Sequence, residues 1–177
     1  MPIIFHTYGP FDVPDGFKRG EAKVDKFWEA VETEANRWGW ENVERAIGCY
    51  LFAVRVRSGF KPVYVGQTNS QAGFRGEISQ PHKLAHYAEA LSGNRKGVMF
   101  LFPLMTETRF AKPSVRHSRV ITWLEDTMMR MAWARNPEIA NTRNMKFLRD
   151  VRVEGVLGKW DGRPSTHAVS ARKALKG

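Results

Sequence analysis

One cysteine, Cys49, stands in a chain of 177 residues. No intramolecular disulfide is therefore available, and no Cys/His cluster has the spacing of a structural zinc site. Also lacking is any run near the ~18 uninterrupted apolar residues of a membrane helix. The start, Met1-Pro2-Ile3-Ile4-Phe5, has neither the charged n-region nor the long apolar core of a signal peptide. Internal repeats are missing too. These absences lead to the expectation of a cytoplasmic protein that meets no membrane. What is present suits a packed core: 42% hydrophobic residues and six tryptophans, in a length that fits one domain with some extension.

Charge is the first functional observation. Lys and Arg number 28 against 18 Asp and Glu, a net +10. Residues 1–47 carry 6 basic and 9 acidic side chains, residues 48–113 carry 9 against 3, residues 114–144 carry 5 against 3, and residues 145–177 carry 8 against 3. The excess thus begins at Gly48 and continues to the end. A polyphosphate partner would account for it through counterion release. A generally basic surface would do so equally well, and composition does not decide between them.

Val24, Phe27, Trp28, Val31, Ala35 and Trp38 recur at helical intervals, predicting a helix that stops at Gly39 and packs on the main body. Tyr50 to Arg57 is rich in β-branched and aromatic residues; Ser58 to Pro62 interrupts the run and Val63 to Gly66 resumes it, which predicts a β-hairpin. A helix is expected around Lys83 to Leu91, and a buried strand at Val98 to Phe102 ahead of Pro103. A stronger helix runs from about Val115 to Ala134, with Ile121, Leu124, Met128 and Met131 as its apolar stripe and Asn136-Pro137 as its end. Beyond Gly155 the chain reads as a basic tail with little core. The expected fold is α+β: a small three-stranded antiparallel sheet flanked by helices. The expected division is an N-terminal helical extension over 1–47, a main domain over 48–144 and a basic C-terminal segment over 145–177.

Two strings sit on the predicted hairpin, Gly48-Cys49-Tyr50 and Tyr64-Val65-Gly66. At the start of one strand and the end of its partner, they bring the two tyrosines near each other across the ladder. Arg75 lies nine residues past Gly66, Glu125 falls midway along the later helix, and Asn141 follows Pro137 by four. In this order the features resemble the GIY-YIG nuclease superfamily, over about residues 48 to 144. The resemblance implies an endonuclease that hydrolyses phosphodiester bonds in DNA with one divalent ion, Mg²⁺ or Mn²⁺, bound by Glu125. It gives Tyr50 the activation of the attacking water, and Tyr64 and Arg75 the positioning and charge relief of the phosphate. Two residues depart from the family pattern. Cys49 replaces a branched aliphatic residue, which a small thiol does tolerably. Ser79 stands where many members carry a histidine, one turn after the arginine. His86, and after it His82, are the substitutes within reach. His86 would share a face with Arg75 on one continuous helix, although Gly76 and Pro81 argue against continuity.

Glu125 carries an argument of its own. At 100° per residue it lies about 40° around the helix from Ile121 and about 60° from Met128, at the edge of the apolar stripe, where a carboxylate needs compensation. From helix geometry alone an ion pair with an arginine is the better account; the hairpin strings reverse that. Tyr50 as a base would need nearby positive charge to lower a phenol pKa of about 10, and Lys61 is one such cation. Lys61, Asn141, Arg143 and Arg163 are the expected nucleic-acid contacts, Gly162-Arg163-Pro164 being similar to the core of minor-groove arms. A double-strand cutter with one metal site per chain would be expected to form a homodimer. Two rivals stay open: a non-catalytic nucleic-acid-binding protein on the same scaffold, and a protein-interaction module using the acidic, Trp-rich N-terminal helix.

Overall fold

A computed structural model describes residues 3–14, 17, 21–93, 95–141 and 162–176. The chain forms two compact units, Met1–Ala140 and Asn141–Gly177. The first is built on an antiparallel sheet. Strands β3 (Gly48–Val56) and β4 (Gly59–Thr68) form the predicted hairpin, and β5 (Gly97–Met105) lies on the other side of β3. Two short strands, β1 (Ile4–Phe5) and β2 (Tyr8–Val13), follow each other along the far edge of β5.

The sheet is therefore larger than the three strands expected, and residues 4–13 are strand rather than part of a helical extension. Pairing with β5, not local propensity, makes them so, which also explains how Pro103 is held inside β5. The Leu104 N–H bonds the Ile47 carbonyl at 2.9 Å, so the preceding residue faces the opposite side, where the ladder breaks between β1 and β2. A missing donor costs nothing there.

One face of the sheet is covered by α1 (Glu21–Arg37), α2 (Gly73–Ile78) and α3 (Pro81–Ala90). Phe27, Trp28, Val31 and Ala35 of α1 are buried against Tyr8, Phe11, Met99 and Leu101. Burying each large side chain contributes about 1.5–3 kcal/mol. Trp38 falls beyond the helix end and is 70% exposed. The expected break between Arg75 and His86 is real: α2 and α3 are separate helices. The Glu32 carboxylate accepts from the N–H groups of Asn42 (2.9 Å) and Glu44 (2.7 Å), fixing a short 3-10 turn, Val43–Arg45, beside α2.

The other face is covered by α4 (Val115–Arg135), whose N-terminus Ser114 caps by accepting from His117 N–H at 3.1 Å. Its buried residues are Ile121, Glu125, Met129 and Ala132, whereas Met131 is 66% exposed. The helix is thus rotated from the expected setting, and Glu125 stands at the centre of the buried stripe instead of its edge. After α4 the chain returns along the edge strand β4. Asn136 Nδ2 donates to the Pro62 carbonyl (2.7 Å) and Ala140 N–H to the Val63 carbonyl (2.8 Å), at the bulge that the β3–β4 register shift leaves in β4. That cover protects an open sheet edge.

In the second unit, the basic tail expected to have little core carries a helix, α5 (Thr166–Lys176). Ser165 Oγ accepts from Ala168 N–H at 3.1 Å at its start. Among the described residues no helix is long and apolar enough to cross a membrane.

Candidate functional site

Tyr50 on β3 is paired with Gly66 on β4, and Phe52 with Tyr64. Tyr50 and Tyr64 therefore share a face, with rings stacked at 6.1 Å and 25°. The Tyr50 ring crosses directly over Gly66: a Cβ there would lie 2.4 Å from its Cζ and its hydroxyl oxygen. Gly48, at the other end of the pair of strings, has φ +152 and would drive a Cβ to 2.1 Å from the Phe102 carbonyl oxygen. Both glycines thus have a steric reason, and the crossing of Tyr50 over Gly66 is what sets the two tyrosines side by side.

A third phenol and an ion pair complete this side. Tyr87 on α3 meets Tyr64 edge-on at 6.1 Å and packs on Phe52 at 4.6 Å. His86 stacks on the outer side of Tyr64 at 6.3 Å and 16°. Lys83, one turn before Tyr87, is buried; its ammonium pairs with Glu77 of α2 and sits 5.6 Å from the centre of the Tyr50 ring. Sequence reading missed Glu77, Lys83 and Tyr87. A lysine and a glutamate on short helices read as solvent-facing, and only the turn between α2 and α3 folds them together.

The electrostatics run against one expectation. Tyr50 is completely buried, and desolvation, followed by the neighbouring phenols and Glu77, raises its pKa well above 10. Positive charge does not lower it, because Glu77 holds the nearby lysine. Burial likewise raises Tyr87. Tyr64 is half-buried; burial, then the carboxylates of Glu125 and Glu77, raise its pKa. The Tyr50 and Tyr87 hydroxyls influence each other's ionisation, yet neither completes a hydrogen bond of good geometry among the described residues.

Glu125 reaches the group from the α4 side. Its charge acts on Tyr64 and on Cys49, whose thiol donates to the Ile121 carbonyl at 3.3 Å. Burial first, then Glu125, push that thiol upward and keep it protonated. Tyr64 on the edge strand is thus where a carboxylate from each side of the sheet is felt.

Within the first unit, Arg75, Lys61 and His82 stand outside the tyrosine group. Arg75 forms ion pairs with Glu44 (2.8 Å) and Asp25; the bond to Glu44 is the leading cause of its raised pKa. It lines an open cleft of about 900 Å³ with Asp25, Glu44, Gln71 and Ser79, none of them a member of the tyrosine group. The expected charge relief at a phosphate is in this state spent on two carboxylates. Lys61 pairs with Glu138 at 3.5 Å, both exposed. His82 is exposed at the start of α3. Asn141 is buried in the second unit, Arg163 is exposed ahead of α5, and Arg143 lies outside the described residues. Among the described residues no three or more of His, Cys, Asp and Glu gather in a way that could hold a metal.

Compared with known proteins, the chain matches no family model, no curated protein and no solved structure.

Proposed function

We propose that this protein is a metal-dependent endonuclease of the GIY-YIG type. The observation that carries the reading is the stacked pair Tyr50–Tyr64 crossing over Gly66, with Glu125 acting on Tyr64 from the opposite helix. Roles divide by exposure. Tyr64, half-exposed and backed by His86, is the phenol able to meet a phosphate or its attacking water. Tyr50, buried and neutral, serves as a packing partner behind it rather than as the base. His86 is the group beside Tyr64 suited to accept a proton. The donors here are hard, a carboxylate and a phenol, and the Cys49 sulfur is kept as a thiol. That set fits Mg²⁺ or Mn²⁺, which take oxygen ligands and retain water. A divalent ion bound at Glu125 would supply charge relief at the phosphate.

The basic balance after Gly48 favours a nucleic acid as substrate, and the family resemblance makes DNA the expected one. The second reading, a non-catalytic nucleic-acid-binding protein, draws on one observation: Arg75 is engaged by Glu44 and Asp25. The test is cleavage of supercoiled plasmid and of labelled RNA with Mg²⁺, Mn²⁺ or EDTA, using wild type, Glu125→Gln and Tyr64→Phe. Metal-dependent cutting that falls about 10²-fold or more in both variants is expected. Salt-sensitive binding without any cutting would overturn the nuclease in favour of the binding protein.

A further inference from the structure

The outward face of α4, opposite Glu125, has a composition of its own. With 100° per residue, Arg116, Arg119, Trp123 and Arg130 fall within about 60° of one another, on the side turned away from Ile121, Glu125 and Met129. The three arginines are exposed, and Trp123 is 65% exposed. Among the described residues none of the three has a carboxylate partner, whereas Arg37, Arg55, Arg75, Lys61 and Lys83 are all paired. Asp126 borders this face; no acid lies within it.

We propose that this face binds a single-stranded stretch of nucleic acid, with a base stacked on Trp123 and phosphates on Arg116, Arg119 and Arg130. A bare indole between unpaired guanidiniums offers a π-face and anion-binding forks together, which is the combination a flexible strand uses. Paired duplex bases have their faces covered, so a duplex could satisfy the arginines but would leave the indole in water. Protein interfaces also use Trp and Arg, but their cores are depleted of charge overall, whereas here three guanidiniums without carboxylate partners among the described residues flank one indole. A membrane anchor needs several large apolar residues on one face, with its cations to the side; here the arginines surround one tryptophan. The face points away from the Tyr64–Glu125 group, so this inference stands without the nuclease reading.

The test is fluorescence anisotropy with a labelled single-stranded 12-mer and its duplex across a salt series. The proteins are wild type, Trp123→Ala and the triple variant Arg116→Gln/Arg119→Gln/Arg130→Gln. Trp123→Ala should weaken single-strand binding about 5- to 150-fold and leave duplex binding nearly unchanged. The triple variant should lower the slope of log affinity against log salt by about 2. Because these side chains are exposed, circular dichroism should show intact folding. Equal single-strand affinity for wild type and Trp123→Ala would overturn the proposal. So would equal loss on both nucleic acids, a triple variant with an unchanged salt slope, or capture by anionic vesicles in place of the oligonucleotide. Cleavage is read on plasmid with divalent metal and this surface on the 12-mer in EDTA, so a failure of one and a failure of the other are distinguished.

Discussion

Gly66→Ala asks whether the tyrosine pair is set by the crossing of a ring over a bare backbone. Gly66 is not among the glycines with positive φ, so alanine is conformationally allowed and the obstacle is Tyr50, whose Cζ and hydroxyl oxygen would lie 2.4 Å from the new methyl group. Tyr50 cannot swing aside freely, being buried among Phe52, Phe74, Ile78 and Tyr87. Overpacking of this kind costs about 1–3 kcal/mol, or roughly 2–12 °C in Tm at about 2–4 °C per kcal/mol for a unit of this size. Tyr50→Leu removes the clashing end of the ring and has its own cavity cost. In that background Gly66→Ala should be neutral or slightly stabilising, since a strand glycine is entropically unfavourable. The double-mutant cycle should then show a coupling of about 1–3 kcal/mol, read from chemical denaturation of all four proteins. An equal cost of Gly66→Ala in both backgrounds would refute the reasoning, because the penalty would then come from the backbone and not from the ring.

Alkaline stability follows from the raised phenol pKa values. The folded state keeps protons that the unfolded state loses above about pH 10, so stability is complete below that pH and falls as pH rises past it. For the fully buried Tyr50 and Tyr87 the expected slope is about 2.7 kcal/mol per pH unit. Denaturant midpoints and tyrosinate absorbance between about pH 9 and pH 11 measure it, and ionisation of all four tyrosines near pH 10 with the fold intact would contradict it. Lys83→Met should destabilise by about 3–5 kcal/mol, because Glu77 is left largely covered and without its cation, and adding Glu77→Gln should recover part of the loss. A Lys83→Met protein as stable as wild type would rule that pair out as a structural element. Ser114→Ala should cost about 1 kcal/mol by removing the cap on His117 N–H; thermal unfolding indistinguishable from wild type would show that the cap contributes nothing.

Much of the first unit was legible because its signals are local. The hairpin, α1 and α4 follow from period and breakers, and the paired tyrosine strings from strand alternation. What escaped depends on contacts distant in sequence. Residues Tyr8–Val13 include Gly9 and Pro10, which carry no strand signal of their own; their pairing partner lies some ninety residues on, in β5. The setting of α4 escaped for a different reason. Met128, Met129 and Met131 are all apolar, so periodicity cannot say which one faces inward, and a reader places the glutamate at the margin of the stripe. The structure turns Met129 inward with Glu125. Arg75 was found, but its partners Asp25 and Glu44 come from elements before the hairpin, and nothing near Arg75 in sequence announces them.

The chemistry retained in the core bears on the proposed function. Phe52 and Phe74 lie in the same buried cluster as Tyr50 and Tyr87 and show that the space accepts phenylalanine. A buried hydroxyl without a well-formed hydrogen bond costs about 1–3 kcal/mol, so packing alone would favour phenylalanine at positions 50 and 87. Beside these two hydroxyls lies a lysine–glutamate pair, which packing would also replace at no loss. The departures from an optimal core are adjacent: Tyr50 stacks on Tyr64, Tyr87 meets it edge-on, and Lys83 lies over the Tyr50 ring. Such local violations of stability are expected where function is carried. Tyr64 therefore stands as the centre of the site we propose, with Tyr50 and Tyr87 packed against its ring, the Glu77–Lys83 pair beside Tyr50 and Glu125 on the other side of the sheet.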